Sequence, residues 1–348
     1  MPRLLRLSLA AILTAGLAAA CTTDDTADDT AATTEASAAP ATEIDDTVAP
    51  DDTVTPNDTV ATDDTVTPND TVTPNDTAAP DTAPTDPLAD RPFEVFTPSS
   101  YDPATAMPLV LVLHGFGATG AIQEAFFQMQ PLAEERGFLY VHPDGTVNVI
   151  GRQFWNATDA CCGFGSTIDD SAYLLALIEK VQSEYNVDPK RIYLVGHSNG
   201  GFMSYRMACD HADVIAGIAS LAGATFLDPA DCDPSEPVSV LQVHGTADDT
   251  IAFDGGTLLF GIEHPSAPAT VATWAGYNEC AATTDDDAQV LDLDANLAGA
   301  ESSTSAFQGC PAGIGVELWT IDGGAHIPAR TPELSTGIID FLFAHPKP

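Results

Sequence analysis

After residue 91 the apolar positions fall into two alternating rhythms, and over residues 22–90 large apolar side chains nearly vanish. The run Met107–Leu113 (MPLVLVL) is continuous and ends in His114-Gly115-Phe116-Gly117, the mark of a buried strand entering a tight turn. Helical spacing then predicts a helix over 120–136, and a short apolar run predicts a strand over 138–141. Over 168–185, Tyr173, Leu174, Leu177, Ile178, Val181 and Tyr185 share one helical face. Asp169 and Asp170 stand at the end where the helix dipole favours negative charge. The same reading predicts strands over 192–195, 214–221, 238–243 and 317–321, and helices over 200–209, 268–277 and 332–343. Uninterrupted apolar strands alternating with amphipathic helices predict an α/β fold, its mostly parallel sheet covered by helices on both faces.

Residues 22–90 carry no such rhythm. They are Thr, Asp, Ala and Pro for the most part, with 18 acidic side chains and no Lys or Arg. From Asp45 a six-residue unit recurs as DDTVAP, DDTVTP, NDTVAT, DDTVTP, NDTVTP and NDTAAP. One Val per unit is too little apolar surface to offset the ordering entropy of a stacked repeat. Like charges and regular Pro instead predict a disordered, extended stalk over 21–90, reaching on the order of 100–200 Å at about 3 Å per residue. Ahead of it, Arg3 and Arg6, the apolar stretch 7–17 and Ala18-Ala19-Ala20 read as a signal peptide over 1–20, too short in its apolar part to span a membrane comfortably. Cys21 stands where a bacterial lipoprotein carries its lipid, although Ala18 replaces the usual Leu three residues earlier. The expected location is therefore extracellular, lipid-anchored through Cys21 or freely secreted, with the folded body over 91–348.

Charge narrows the partners. The chain holds 51 acidic against 11 basic side chains, and residues 91–348 alone hold 33 against 9. A body this negative repels phosphate backbones, which excludes nucleic acid. It is long enough to bury a single core.

The chemistry is concentrated at predicted strand ends. Gly196-His197-Ser198-Asn199-Gly200 follows the apolar strand RIYLV and precedes a helix. A strained strand-turn-helix elbow of this kind pushes a serine hydroxyl out of the sheet, where a base can activate it. Ser198 is the expected nucleophile. In such an arrangement an acid and then a histidine follow in chain order. His326, in Gly323-Gly324-Ala325-His326, lies between the last predicted strand and the last helix and is the expected general base. The acid is expected on the loop after the penultimate predicted strand, where Asp248 and Asp249 are adjacent candidates. The backbone N–H groups of Asn199 and Phe116 are the expected oxyanion donors.

Together PLVLVLHGFGATG, WNATDACCG, IDDSAYL, RIYLVGHSNGGFMSYRMACD, VHGTADDTIAF and GGAH resemble the secreted polyhydroxybutyrate depolymerase-like esterases. Those are relatives of feruloyl and acetylxylan esterases within the α/β-hydrolase superfamily, and the resemblance spans residues 92–345. It implies a Ser198–Asp248–His326 triad, the first aspartate after HGTA being the usual acid. It also implies hydrolysis of an oligomeric or polysaccharide-linked ester through an acyl-serine, with no metal or organic cofactor. Two departures bear on specificity. Ile327-Pro328 follows His326 where family members often carry Trp, and GHSNG replaces the GLSAG-type elbow of many true polymer depolymerases. A serine peptidase using the same triad, a stalked surface adhesin and a binding lipoprotein are the competing expectations.

Trp155, Asn156 and Phe253, with Phe154, lie on predicted loops near the catalytic ends and are candidates for an acyl pocket or for ordinary packing. With Cys21 set aside for lipid, six cysteines remain. Export favours their pairing, and nearness suggests Cys161–Cys162, Cys209–Cys232 and Cys280–Cys310, with free thiols or crossed pairing of the adjacent two as alternatives. A monomer is expected.

Overall fold

The computed structural model describes residues 86–258 and 261–348. The expected signal peptide, Cys21 and all but the last five residues of the expected stalk lie outside the described residues. Those five, residues 86–90, belong to a turn in which the Ala89 N–H donates to the Asp86 carbonyl at 3.1 Å. Leu88 packs against the core. The boundary expected at 90/91 therefore falls inside folded backbone, because Leu88 has apolar surface to cover.

An eight-stranded sheet organises the body. Its order is β10 (Thr284–Leu291), β11 (Ser302–Phe307), β12 (Val316–Ile321), β7 (Ser239–Gly245), β6 (Gly217–Leu221), β5 (Val187–His197), β1 (Met107–Leu113) and β2 (Leu139–Val141). From β12 to β2 every neighbour is parallel, whereas β10–β11 and β11–β12 are antiparallel. The continuous apolar runs alternate faces as strand geometry requires. In β1, Leu109, Leu111 and Leu113 enter one core and Val110 and Val112 the other. On the first face lie α3 (Asp170–Glu184), α4 (Asn199–Asp210) and α5 (Ala267–Tyr277), on the second α1 (Gly120–Phe127), α2 (Met129–Arg136) and α6 (Pro332–Ala344). The expected sheet covered on both faces is thus present.

Two differences have physical causes. The helix expected over 120–136 is two helices, α1 and α2, meeting at Gln128 with φ 54°. Pro131 has no N–H to give the carbonyl four residues back, Phe127, and its ring would press on it. That freed carbonyl accepts the Ser335 hydroxyl from α6 at 2.6 Å. Glu124 meanwhile accepts the Met129 and Gln130 N–H groups, each at 3.1 Å, in place of an N-cap side chain. The second difference is β10 and β11, which were not expected. Their sequences, TDDDAQVL and SSTSAF, lack an apolar run, because they extend the sheet at its margin and pair mainly through backbone.

Two short ribbons, β3 (Thr146–Val147) with β4 (Gln153–Phe154) and β8 (Gly256–Thr257) with β9 (Glu263–His264), complete the strands. The cysteines pair as Cys161–Cys162, Cys209–Cys232 and Cys280–Cys310.

Candidate active site

Strand β5 ends at His197, and Ser198 follows at φ 54°, ψ −123°, before α4 begins at Asn199. A non-glycine residue in this region costs about 1–3 kcal/mol and persists only where its surroundings impose it. Here the Ser198 N–H is tied to the Leu221 carbonyl at the end of β6, at 2.8 Å. The motif's glycines are steric necessities: a Cβ on Gly200 would lie 2.2 Å from the Leu113 carbonyl oxygen. Ser198 is 9% exposed, at the carboxyl ends of the parallel strands, where ligands bind in open α/β sheets.

The loops carrying the acid and the histidine are joined to each other just as tightly. Thr246 N–H donates to Ile321 O at 2.9 Å, Ala247 N–H to Gly324 O at 2.9 Å, and Gly323 N–H to the Thr246 hydroxyl at 2.8 Å. A Cβ on Gly245 would lie 2.1 Å from the Gly324 oxygen, so the HGT and GGAH segments need glycine to pass. The result is a direct pair: His326 Nδ1–H donates to Asp248 Oδ2 at 2.8 Å. Asp248 Oδ1 accepts the Thr250 and Ile251 N–H groups at 2.9 and 2.8 Å. Burial by itself would raise the Asp248 carboxyl. Hydrogen bonds from His244, His326 and Ile251 outweigh it and hold the group well below the ordinary carboxylate range. Asp249 is exposed, and among the described residues its carboxylate accepts a hydrogen bond only from the Thr250 hydroxyl, at 3.4 Å.

His326 is pinned to the elbow through its backbone. Its carbonyl accepts from His197 Nε2 at 2.9 Å, and the two rings lie 5.0 Å apart, His197 being the residue that precedes Ser198 in the chain. With Nδ1 occupied by Asp248, Nε2 is the ring nitrogen left for proton exchange. The N–H groups of Phe116 and Asn199 donate to nothing among the described residues. Asn199 heads α4, where intrahelical partners are absent by geometry.

The expected pocket residues have mixed fates. Trp155 is fully buried, so it lines no open pocket. It is a strut: its indole N–H donates to the His114 carbonyl at 3.0 Å, and its backbone N–H donates to Asn199 Oδ1 at 2.7 Å. The Asn199 amide returns a bond to the Trp155 carbonyl at 2.9 Å, which fixes the residue carrying one free N–H. Phe154 is buried too. Phe253 is half-buried, its ring edge-on to His244. Asn156 lines an open cavity of about 370 Å³ with Cys162, Phe164, Arg206 and Ile262. Phe164 also meets the exposed Phe116 ring edge to face at 5.9 Å. Sequence reasoning missed His244 and Gln242 beneath Asp248. Their only signal was a histidine before glycine at a strand end.

A family model described as the alpha/beta hydrolase family matches residues 109–334. Feruloyl esterase B of Piromyces equi is 30% identical over 236 residues, covering 66% of this chain and 41% of that protein. A bifunctional acetylxylan esterase/xylanase of Neocallimastix patriciarum is 30% identical over 165 residues, covering 47% of this chain and 22% of its own. The chain thus spans well under half the length of these curated relatives. Among solved structures, an acetyl xylan esterase from Aspergillus awamori superposes with a TM-score of 0.51 at 14% identity, over 72% of this chain and 93% of that one, a likeness of fold.

Proposed function

Because the chain belongs to the alpha/beta hydrolase family, we propose that it hydrolyses carboxylic esters through an acyl-serine intermediate. The observation that carries this reading is the Asp248–His326 pair, at 2.8 Å, held by a backbone bond against the residue next to a strained serine. His326 Nε2 takes the Ser198 proton as Oγ attacks the ester carbonyl. The Phe116 and Asn199 N–H groups receive the oxyanion. Asp248 stabilises the imidazolium, which then protonates the departing alkoxide. Water, deprotonated by the same nitrogen, releases the acid. The chemistry as written uses no metal or organic cofactor.

The proposed substrates are feruloyl or acetyl esters on polysaccharide and short hydroxyacid oligomers, in keeping with the esterases the chain resembles. An extracytoplasmic setting is supported by the signal-like segment 1–20 and by three disulfides, which persist in oxidising compartments. Methyl ferulate, acetylated xylan and hydroxybutyrate trimer, assayed in parallel, separate the classes. On a short p-nitrophenyl ester, Ser198→Ala and His326→Ala are expected to lower kcat on the order of 10⁴- to 10⁶-fold with the fold intact. Asp248→Asn is expected to cost about 10⁴-fold, and Asp249→Asn less than about twofold. Undiminished turnover in Ser198→Ala, or a larger loss at Asp249 than at Asp248, contradicts the assignment.

A further inference from the structure

Beneath Asp248 lies a chain of buried polar groups that the reaction does not use. Tyr205 in α4 donates its hydroxyl to Gln242 Oε1 at 2.8 Å. The Gln242 amide nitrogen lies 2.8 Å from the Gly223 carbonyl and 3.0 Å from His244 Nδ1. His244 Nε2 in turn lies 2.8 Å from the Ile251 carbonyl and 3.3 Å from Asp248 Oδ2, the oxygen that also receives His326. Tyr205, Gln242 and His244 are all at most 1% exposed.

The donors and acceptors of this chain can be assigned one way only. A flipped Gln242 amide would set its oxygen against the Gly223 carbonyl oxygen, two acceptors at hydrogen-bond distance. The NH₂ group therefore faces Gly223, and its second hydrogen points at His244 Nδ1. That nitrogen must be an acceptor, which leaves the ring's single proton on Nε2. From there it is shared between Ile251 O and Asp248 Oδ2. One imidazole thus clasps both ends of the tight turn from Asp248 to Ile251, whose other rungs are the Thr250 and Ile251 N–H groups on Oδ1.

We infer that His244, locked by Gln242 as the neutral Nε2–H tautomer, is a positioning residue that fixes the Asp248 carboxylate for His326. The inference rests on the acyl-serine reading and deepens it. His244 touches neither substrate nor the reacting atoms. Its neutrality matters because an imidazolium there would compete with His326 for the same carboxylate oxygen. A mispositioned catalytic group costs on the order of 10- to 100-fold, so this is the scale of loss expected from removing the clasp.

The test compares His244→Met, which fills the space without a donor, with His244→Gln, whose amide N–H reaches the Nε2 position. Expected are a kcat fall of about 10- to 100-fold in His244→Met, KM within about twofold of wild type, and recovery of most of the rate in His244→Gln. An unchanged kcat in His244→Met, or equal losses in both variants, overturns the inference. Independently of any variant's folding, two-bond ¹⁵N–¹H correlations on the labelled wild-type protein at neutral pH should show His244 protonated at Nε2 and bare at Nδ1. The opposite tautomer or an imidazolium also overturns it. Ser198→Ala, run alongside, separates the two claims: full activity there sinks the acyl-serine reading, whereas the tautomer measurement judges His244 on its own.

Discussion

Several histidines in this molecule are held uncharged, each for a reason visible in its contacts. His114 donates Nδ1–H to the Gly115 carbonyl and accepts the Gly145 N–H on Nε2, both at 2.8 Å, so a second proton has nowhere to sit. Burial pushes it down, and His264 likewise. His197 is pushed down to about 4, first by burial and then by the neighbouring His326. Its value unfolded is about 6.5, so between about pH 6.5 and 4 the unfolded chain binds more protons than the folded one. Stability should therefore fall as pH drops through that window and level off below it, by on the order of 3 kcal/mol for His197 alone. Thermal melts against pH should show this slope, shallower in His197→Gln. A slope of equal steepness in the variant would remove His197 as a cause.

At the scale of elements, what the sequence made legible depended on where an element sits. Central strands such as Met107–Leu113 are buried on both faces and announce themselves as unbroken apolar runs. β10 and β11, TDDDAQVL and SSTSAF, are poor in large apolar residues and announce nothing. The break at Gln128 was concealed by an apolar rhythm that continues across it, although Pro131 gave the cause in plain view. Its consequence is testable. Ser335 is 1% exposed and supplies the hydrogen bond that Pro131 withholds from Phe127. Ser335→Ala should leave a buried carbonyl unpaired and lower the unfolding free energy by about 1–3 kcal/mol in urea titrations. A change within error would mean that the carbonyl finds another partner.

Across the whole molecule, the candidate site was more legible than its supports. Ser198, Asp248 and His326 stand in motifs whose glycines are required by approaches of about 2 Å, so chemistry and spacing are written together. Trp155, expected near a pocket, acts through contacts between segments far apart in sequence, which spacing does not record. His244, passed over, acts within its own strand and loop through Gln242, Asp248 and Ile251, in a hydrogen-bond geometry that no residue pattern announces. Net charge adds one further consequence. The proposed ester hydrolysis would yield a carboxylate, and a body with 33 acidic against 9 basic side chains favours the departure of such a product. The central claim is that this fold gathers one hydroxyl for covalent catalysis, and intact-protein mass spectrometry after exposure to a fluorophosphonate tests it most directly. A single stoichiometric adduct mapping to Ser198, absent from Ser198→Ala and formed with parallel loss of esterase activity, is the expected result. Persistent ester hydrolysis with no adduct, or an adduct on any other residue that accounts for the inactivation, would contradict it.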